Sequence, residues 1–220
     1  MANMIADLEI FRLEKLPLEL RRKVYEFALV CPKHLQHGFR TSSGVALLRT
    51  SRRMYEEASE FFYKNTFNLT DHTKINKDDW ASTSRNIKSV SFDWWGWSIK
   101  DPQTLRSIAM LPNLKVMTIV LTQYSTGGQN LLHKRQTKYQ DNQSIAKFNK
   151  TNGFDALVEI RGLDVVKVRN KGPDDHGPPA IATDAEITAF ETFLNSVLTK
   201  PPFVRDNIFK YATGDFCLKY

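Results

Sequence analysis

Side chains able to hold a metal come close together at two places in this sequence, His34-x-x-His37 and Asp174-Asp175-His176. A zinc site needs three or four such ligands converging from a defined backbone, and neither cluster has a third partner at motif spacing. The glycines of "STGGQN" (125–130) lack the Lys and Ser/Thr of a phosphate-binding loop, no GxSxG follows a strand, and neither Cys31 nor Cys217 has a base beside it. No catalytic constellation, metal or cofactor is therefore expected, and the chemistry that remains is binding. In "FDWWGWSIKDP" (92–102) three of the four tryptophans, Trp94, Trp95 and Trp97, surround Gly96 where a strand runs out. Loops at strand ends collect binding sites and Trp is a frequent anchor, so these rings and Tyr124 are the expected target-binding patch. Burial of one or two of them under the following helix is the competing outcome.

Charge points to a second surface. Lys and Arg number eleven against eight acids over residues 1–70, twelve against six over 71–150, and eight against ten over 151–220. The central excess gathers in the polar stretch 122–153, where Lys134, Arg135, Lys138, Lys147 and Lys150 face one acid, Asp141. Such a stretch reads first as a solvated loop and second as a phosphate-tracking surface, with Lys134, Arg135 and Lys138 as its candidate nucleic-acid contacts.

These residues need elements to position them. Leu20, Val24, Phe27 and Ala28 recur at helical spacing after Pro17, which predicts a helix over about 17–30. The pattern resumes from Val45 to Phe62 as one long amphipathic helix or two short ones. The period then changes from 3.6 to 2. "NTFNLT" (65–70), "IKSVSFDW" (87–94), "LKVMTIVL" (114–121) and "LDVVKVRN" (163–170) read as strands, and helical stretches around 105–111 and 154–160 precede the last two. Thr183 with Glu186 forms a capping box that opens a last helix, carrying Ile187, Phe190, Phe193, Leu194, Val197 and Leu198 on its apolar stripe and ended by Pro201-Pro202. Helix-then-strand repetition predicts an α/β fold with a helical N-terminal unit over 1–67 and an irregular stack of mainly parallel strands over 68–220. The long spacing between the third and fourth strands places an insertion at about 122–153, with a short helix near 144–149.

"LPLELRRKVYEFAL" (16–29) followed by "ALLRTSRRMYEEASEFF" (46–62) resembles the F-box, in particular the divergent F-box-like domains at the N-termini of many fungal proteins. Leu16, Pro17, Glu19, Leu20, Arg21, Val24, Tyr25, Ala28 and Leu29 match the first half of that pattern. Leu47, Leu48, Arg49, Ser51, Arg52, Tyr55, Glu56, Glu57 and Ala58 match the second. The resemblance covers about 11–67, and the helix-strand alternation behind it is similar to the leucine-rich-repeat-like regions of the same families. It implies a three-helix unit whose apolar face binds the Skp-type adaptor of a cullin–RING ubiquitin ligase while the C-terminal part captures a protein target. Leu16, Pro17, Leu20 and Val24 would meet the adaptor, with Leu47 and Leu48 either joining them or closing the small core. The loop between the halves is long for an F-box, and Tyr55 stands where an F-box carries Trp.

The expectation is thus a non-enzymatic substrate receptor, with a nucleic-acid-binding protein on a merely structural helical unit as the alternative. An assembly protein joined through its aromatic surface is a third. No run approaches the roughly 18 apolar residues of a membrane span, and acids stand where a signal peptide needs a basic start, so an intracellular protein of cytoplasm or nucleus is expected. Two distant cysteines make no disulfide framework.

Overall fold

Pro17 caps the first helix instead of lying inside it: its carbonyl accepts the N–H groups of Leu20 and Arg21, both at 3.1 Å, and α1 runs Leu18–Leu29 after a short 3-10 turn at Leu13–Lys15. The computed structural model describes residues 13–31, 43–69, 84–122, 145–172 and 182–201. The second helical pattern divides into α2 (Ser43–Leu48) and α3 (Arg52–Phe62). The break falls at Ser51, whose hydroxyl accepts from Met54 N at 3.2 Å and so satisfies a donor that an unbroken helix would have used. Asn65 then ties two helix ends together. Its Nδ2 donates to the carbonyls of Leu29 and Phe62, and its Oδ1 accepts from Cys31 N at 2.7 Å.

Four parallel strands follow, β1 (Phe67–Asn68), β2 (Ser89–Trp94), β3 (Val116–Leu121) and β4 (Val165–Asn170). They lie in the sheet in chain order, each beside its predecessor. Helix α4 (Lys100–Ala109) connects β2 to β3, α5 (Phe154–Glu159) precedes β4, and α6 (Asp184–Leu198) follows it. The fold is mixed α/β with a parallel four-stranded sheet and six helices among the described residues. The expected short helix near 144–149 is a single turn at 145–149, in which Phe148 N and Asn149 N reach Ile145 O.

Strand register places the core in rows. Val90, Met117 and Val166 stand abreast, as do Phe92, Ile119 and Val168, and all six are buried. Trp94 and Leu121 make a third row, against which α6 sets Phe190, stacked 5.9 Å from the Trp94 ring. Side chains of this class contribute about 1.5–3 kcal/mol each when fully buried. Phe62 meets Phe67 edge-on at 5.4 Å, and the buried residues of α1 and α3 join those of the sheet in one continuous cluster.

The outer edge of β4 is not left open. Asn195 of α6 accepts from Val166 N at 3.0 Å and donates to Val166 O at 2.8 Å, while the Glu191 carboxylate accepts from Val168 N at 2.7 Å. A bare edge would offer those groups to any passing strand.

Candidate functional site

Helix α1 turns an unexpected face inward. Its buried positions are Arg21, Tyr25 and Leu29, so the helix is anchored by a guanidinium and a phenol as much as by apolar contact. Arg21 donates from Nε and Nη2 to the two carboxylate oxygens of Glu57 on α3, each at 2.9 Å, and from Nη1 to Leu16 O at 2.7 Å. Tyr25 adds its hydroxyl to Glu57 at 3.1 Å, and Arg53 donates to the same carboxylate at 3.0 Å. The hydrogen bond from Arg21, followed by that from Arg53, holds the Glu57 carboxyl down to about 2. Burial, then Glu57, pushes the Tyr25 phenol up. A charge taken from water is tolerable only when paired and hydrogen-bonded, and the fork of Arg21 meets that condition with two parallel bonds.

With the polar face inward, the aliphatic stripe of α1 points out. Leu20 is 46% exposed, Val24 38% and Phe27 92%, at i, i+4, i+7 spacing, with Leu18 and Pro17 exposed at the same end. Of the residues expected to meet an adaptor, Pro17, Leu20 and Val24 are on the surface and Leu16 and Leu47 are half-buried. Leu48 is not a surface residue, because it closes the core under α2. Phe27 belongs to the same surface, seven residues after Leu20, and was legible in the helical period; Leu18 is exposed at the N-terminal end but lies off that stripe. Tyr55, which stands where an F-box carries Trp, faces out at 43% exposure, while Ala58, Phe61 and Phe62 fill the interior.

The three tryptophans at the end of β2 divide. Trp94, expected in the target patch, is fully buried. It alternates in register with Val90 and Phe92 on the core face, and its indole N–H donates to Asn152 O at 2.7 Å. Trp95 and Trp97 stack on each other with centroids 5.5 Å apart and planes 12° from parallel. Trp95 is half-buried and Trp97 is 40% exposed. An ammonium lies over each ring: Lys171 Nζ is 4.4 Å from the Trp95 centroid and Lys100 Nζ is 4.9 Å from that of Trp97. Lys171 is buried at the end of β4 and paired at 3.3 Å with Asp93 of β2. Lys100 is exposed.

The backbone between the rings is held from two sides. Gly96 takes φ +73°, and its carbonyl accepts from Asn152 Nδ2 at 2.9 Å. Asp101, in the first turn of α4, accepts from the N–H groups of Trp95 and Trp97 at 3.1 and 3.0 Å. The sheet therefore delivers a preformed aromatic pair at the carboxyl ends of its strands, where open parallel sheets commonly bind ligands.

The chain matches no family model, no curated protein and no solved structure. Among the described residues no three His, Cys, Asp or Glu side chains converge as a metal site, and no described helix is long and apolar enough to cross a membrane. Tyr124 and the cations Lys134, Arg135 and Lys138 lie outside the described residues, as do both histidine clusters and Cys217.

Proposed function

We propose that this chain is a non-enzymatic, F-box-like interaction protein that links a Skp-type adaptor of a cullin–RING ubiquitin ligase to a protein target. The observation that carries the reading is the outward stripe of Leu20, Val24 and Phe27 on a helix whose opposite face is locked to α3 through Arg21, Tyr25 and Glu57. A helix-in-groove contact needs aliphatic anchors at i, i+3, i+4 and i+7 on a rigid support, and a pre-anchored helix loses little freedom when it docks. The sequential parallel sheet is read as leucine-rich-repeat-like, and Trp95 with Trp97 as the part of its strand-end loops that meets the target. Trp94 is left out of that contact, since its role is to hold the loop from beneath.

Size exclusion of the chain with a purified Skp-type adaptor tests the first half. A one-to-one complex that is lost in Leu20→Asp plus Val24→Asp, with the variant's thermal transition unchanged, supports it. The absence of a complex at tens of micromolar overturns it and leaves α1 as a structural cap.

A further inference from the structure

The loop that displays Trp95 and Trp97 is tied at its base by one buried carboxyl group. Asp101 has no exposed surface. Its Oδ2 takes the two loop amides, while Oδ1 is buried and has no hydrogen-bond partner among the described residues. Gly153, at φ +89°, closes the space beside it, where a Cβ would stand 3.3 Å from the Asp101 Cβ. The second tie on the loop, from Asn152 to the Gly96 carbonyl, carries no charge and does not titrate.

The charged groups around this point face other partners or solvent. Lys100, next in the chain, lies over Trp97. On the strand side Lys171 lies over Trp95 and pairs with Asp93. On α5 the acid Asp155 is exposed, and on α6 Glu191 accepts from Val168 N. None of the described ion pairs includes Asp101. Burial pushes its carboxyl up to about 7, against the pull of the Trp97, Gly96 and Trp95 amides.

We propose that Asp101 is a proton-operated latch on the Trp95–Trp97 loop: neutral, it stays dry and holds the loop closed; ionised, it draws water to Oδ1 and the loop loosens, changing what the tryptophan pair presents. The sign follows from linkage. A carboxyl that ionises near 3.8 when open to water and near 7 when enclosed favours the closed loop at low pH. Between those values the ratio of open to closed rises about tenfold per pH unit, about a thousandfold in all, and then levels off. The latch uses no residue of α1, α2 or α3, so it stands or falls apart from adaptor binding.

Amide NMR of the full chain, following the backbone N–H signals of Trp95 and Trp97 as pH is raised from 3.8 to beyond about 7, tests it, with the far-ultraviolet exciton signal of the stacked indoles recorded alongside. Both amides are expected to shift together with one inflection while the exciton signal weakens, and Asp101→Asn abolishes both changes. Asn152→Ala, which removes the uncharged tie, moves the inflection to lower pH because opening becomes easier. Flat amide signals in the unmodified chain overturn the proposal, as does a titration that survives Asp101→Asn or an inflection that Asn152→Ala leaves in place.

Discussion

Asn195 and Val166 exchange two hydrogen bonds, side-chain amide to backbone, so that a helix side chain takes the place a fifth strand would occupy. Asn195→Ala leaves an N–H and a C=O of the edge strand without these partners, and groups of this kind cost about 1–3 kcal/mol when stranded. Urea unfolding is expected to show a loss of that size, and light scattering at rising concentration an increase in self-association that Asn195→Gln does not fully prevent. Unchanged stability and scattering would mean that packing of α6 alone seals the edge.

The Arg21–Glu57 pair makes the helical unit acid-sensitive. Because the Glu57 carboxyl is held at about 2 in the folded chain against 4.5 without these contacts, its contribution is fully present above about 4.5 and is lost as pH falls toward 2. Thermal melts of Glu57→Gln are expected to lie below the parent at neutral pH and to converge with it in strong acid. Arg21→Lys lowers the melting temperature as well, since an ammonium cannot make the two parallel bonds.

Two aromatic residues on one helix have opposite expectations. Tyr25 is fully buried and Phe27 is 92% exposed. Tyr25→Ala is expected to cost about 3 kcal/mol or more, as large core truncations do, whereas Phe27→Ala stays within about 0.5 kcal/mol. Chemical denaturation of the two variants side by side decides the orientation of α1 without any partner.

Gly153→Ala places a side chain at φ +89° and within 3.2–3.3 Å of Leu105, Asp101 and the Trp94 ring nitrogen. The left-handed backbone alone costs about 1–2 kcal/mol for a residue with a Cβ. A stability loss beyond that figure, with a changed near-ultraviolet signal from Trp94, is expected. A neutral substitution would show that this junction has slack.

Much of this fold was legible because its periods are clean. The shift from 3.6 to 2 after Phe62 marked the strands, and the Thr183–Glu186 capping box is present as read, with Glu186 N bonded to Thr183 Oγ1 and Thr183 N to Glu186 Oε2. Alternation along β2 also carried the information that separates Trp94, in phase with Val90 and Phe92, from Trp95. Proximity in the chain conceals it. Arg21 was harder. Hydrophobic periodicity assigns a charged residue to the outside, and only its partner thirty-six positions away makes burial tolerable. Asp101 left no trace in the sequence, since the donors it serves are backbone amides that every residue type carries.

Each strand lies beside the one made just before it. During synthesis β2 would emerge to find β1 already made, β3 to find β2, and β4 to find β3, so pairing can keep pace with the ribosome and needs no strand to wait for a distant partner. The last β-strand is the one exposed on a nascent chain, and the helix that shields it is translated next. A pause with β4 clear of the ribosome and α6 still inside it would therefore hold the sheet at its most adhesive moment, with the edge groups of Val166 and Val168 still lacking Asn195 and Glu191.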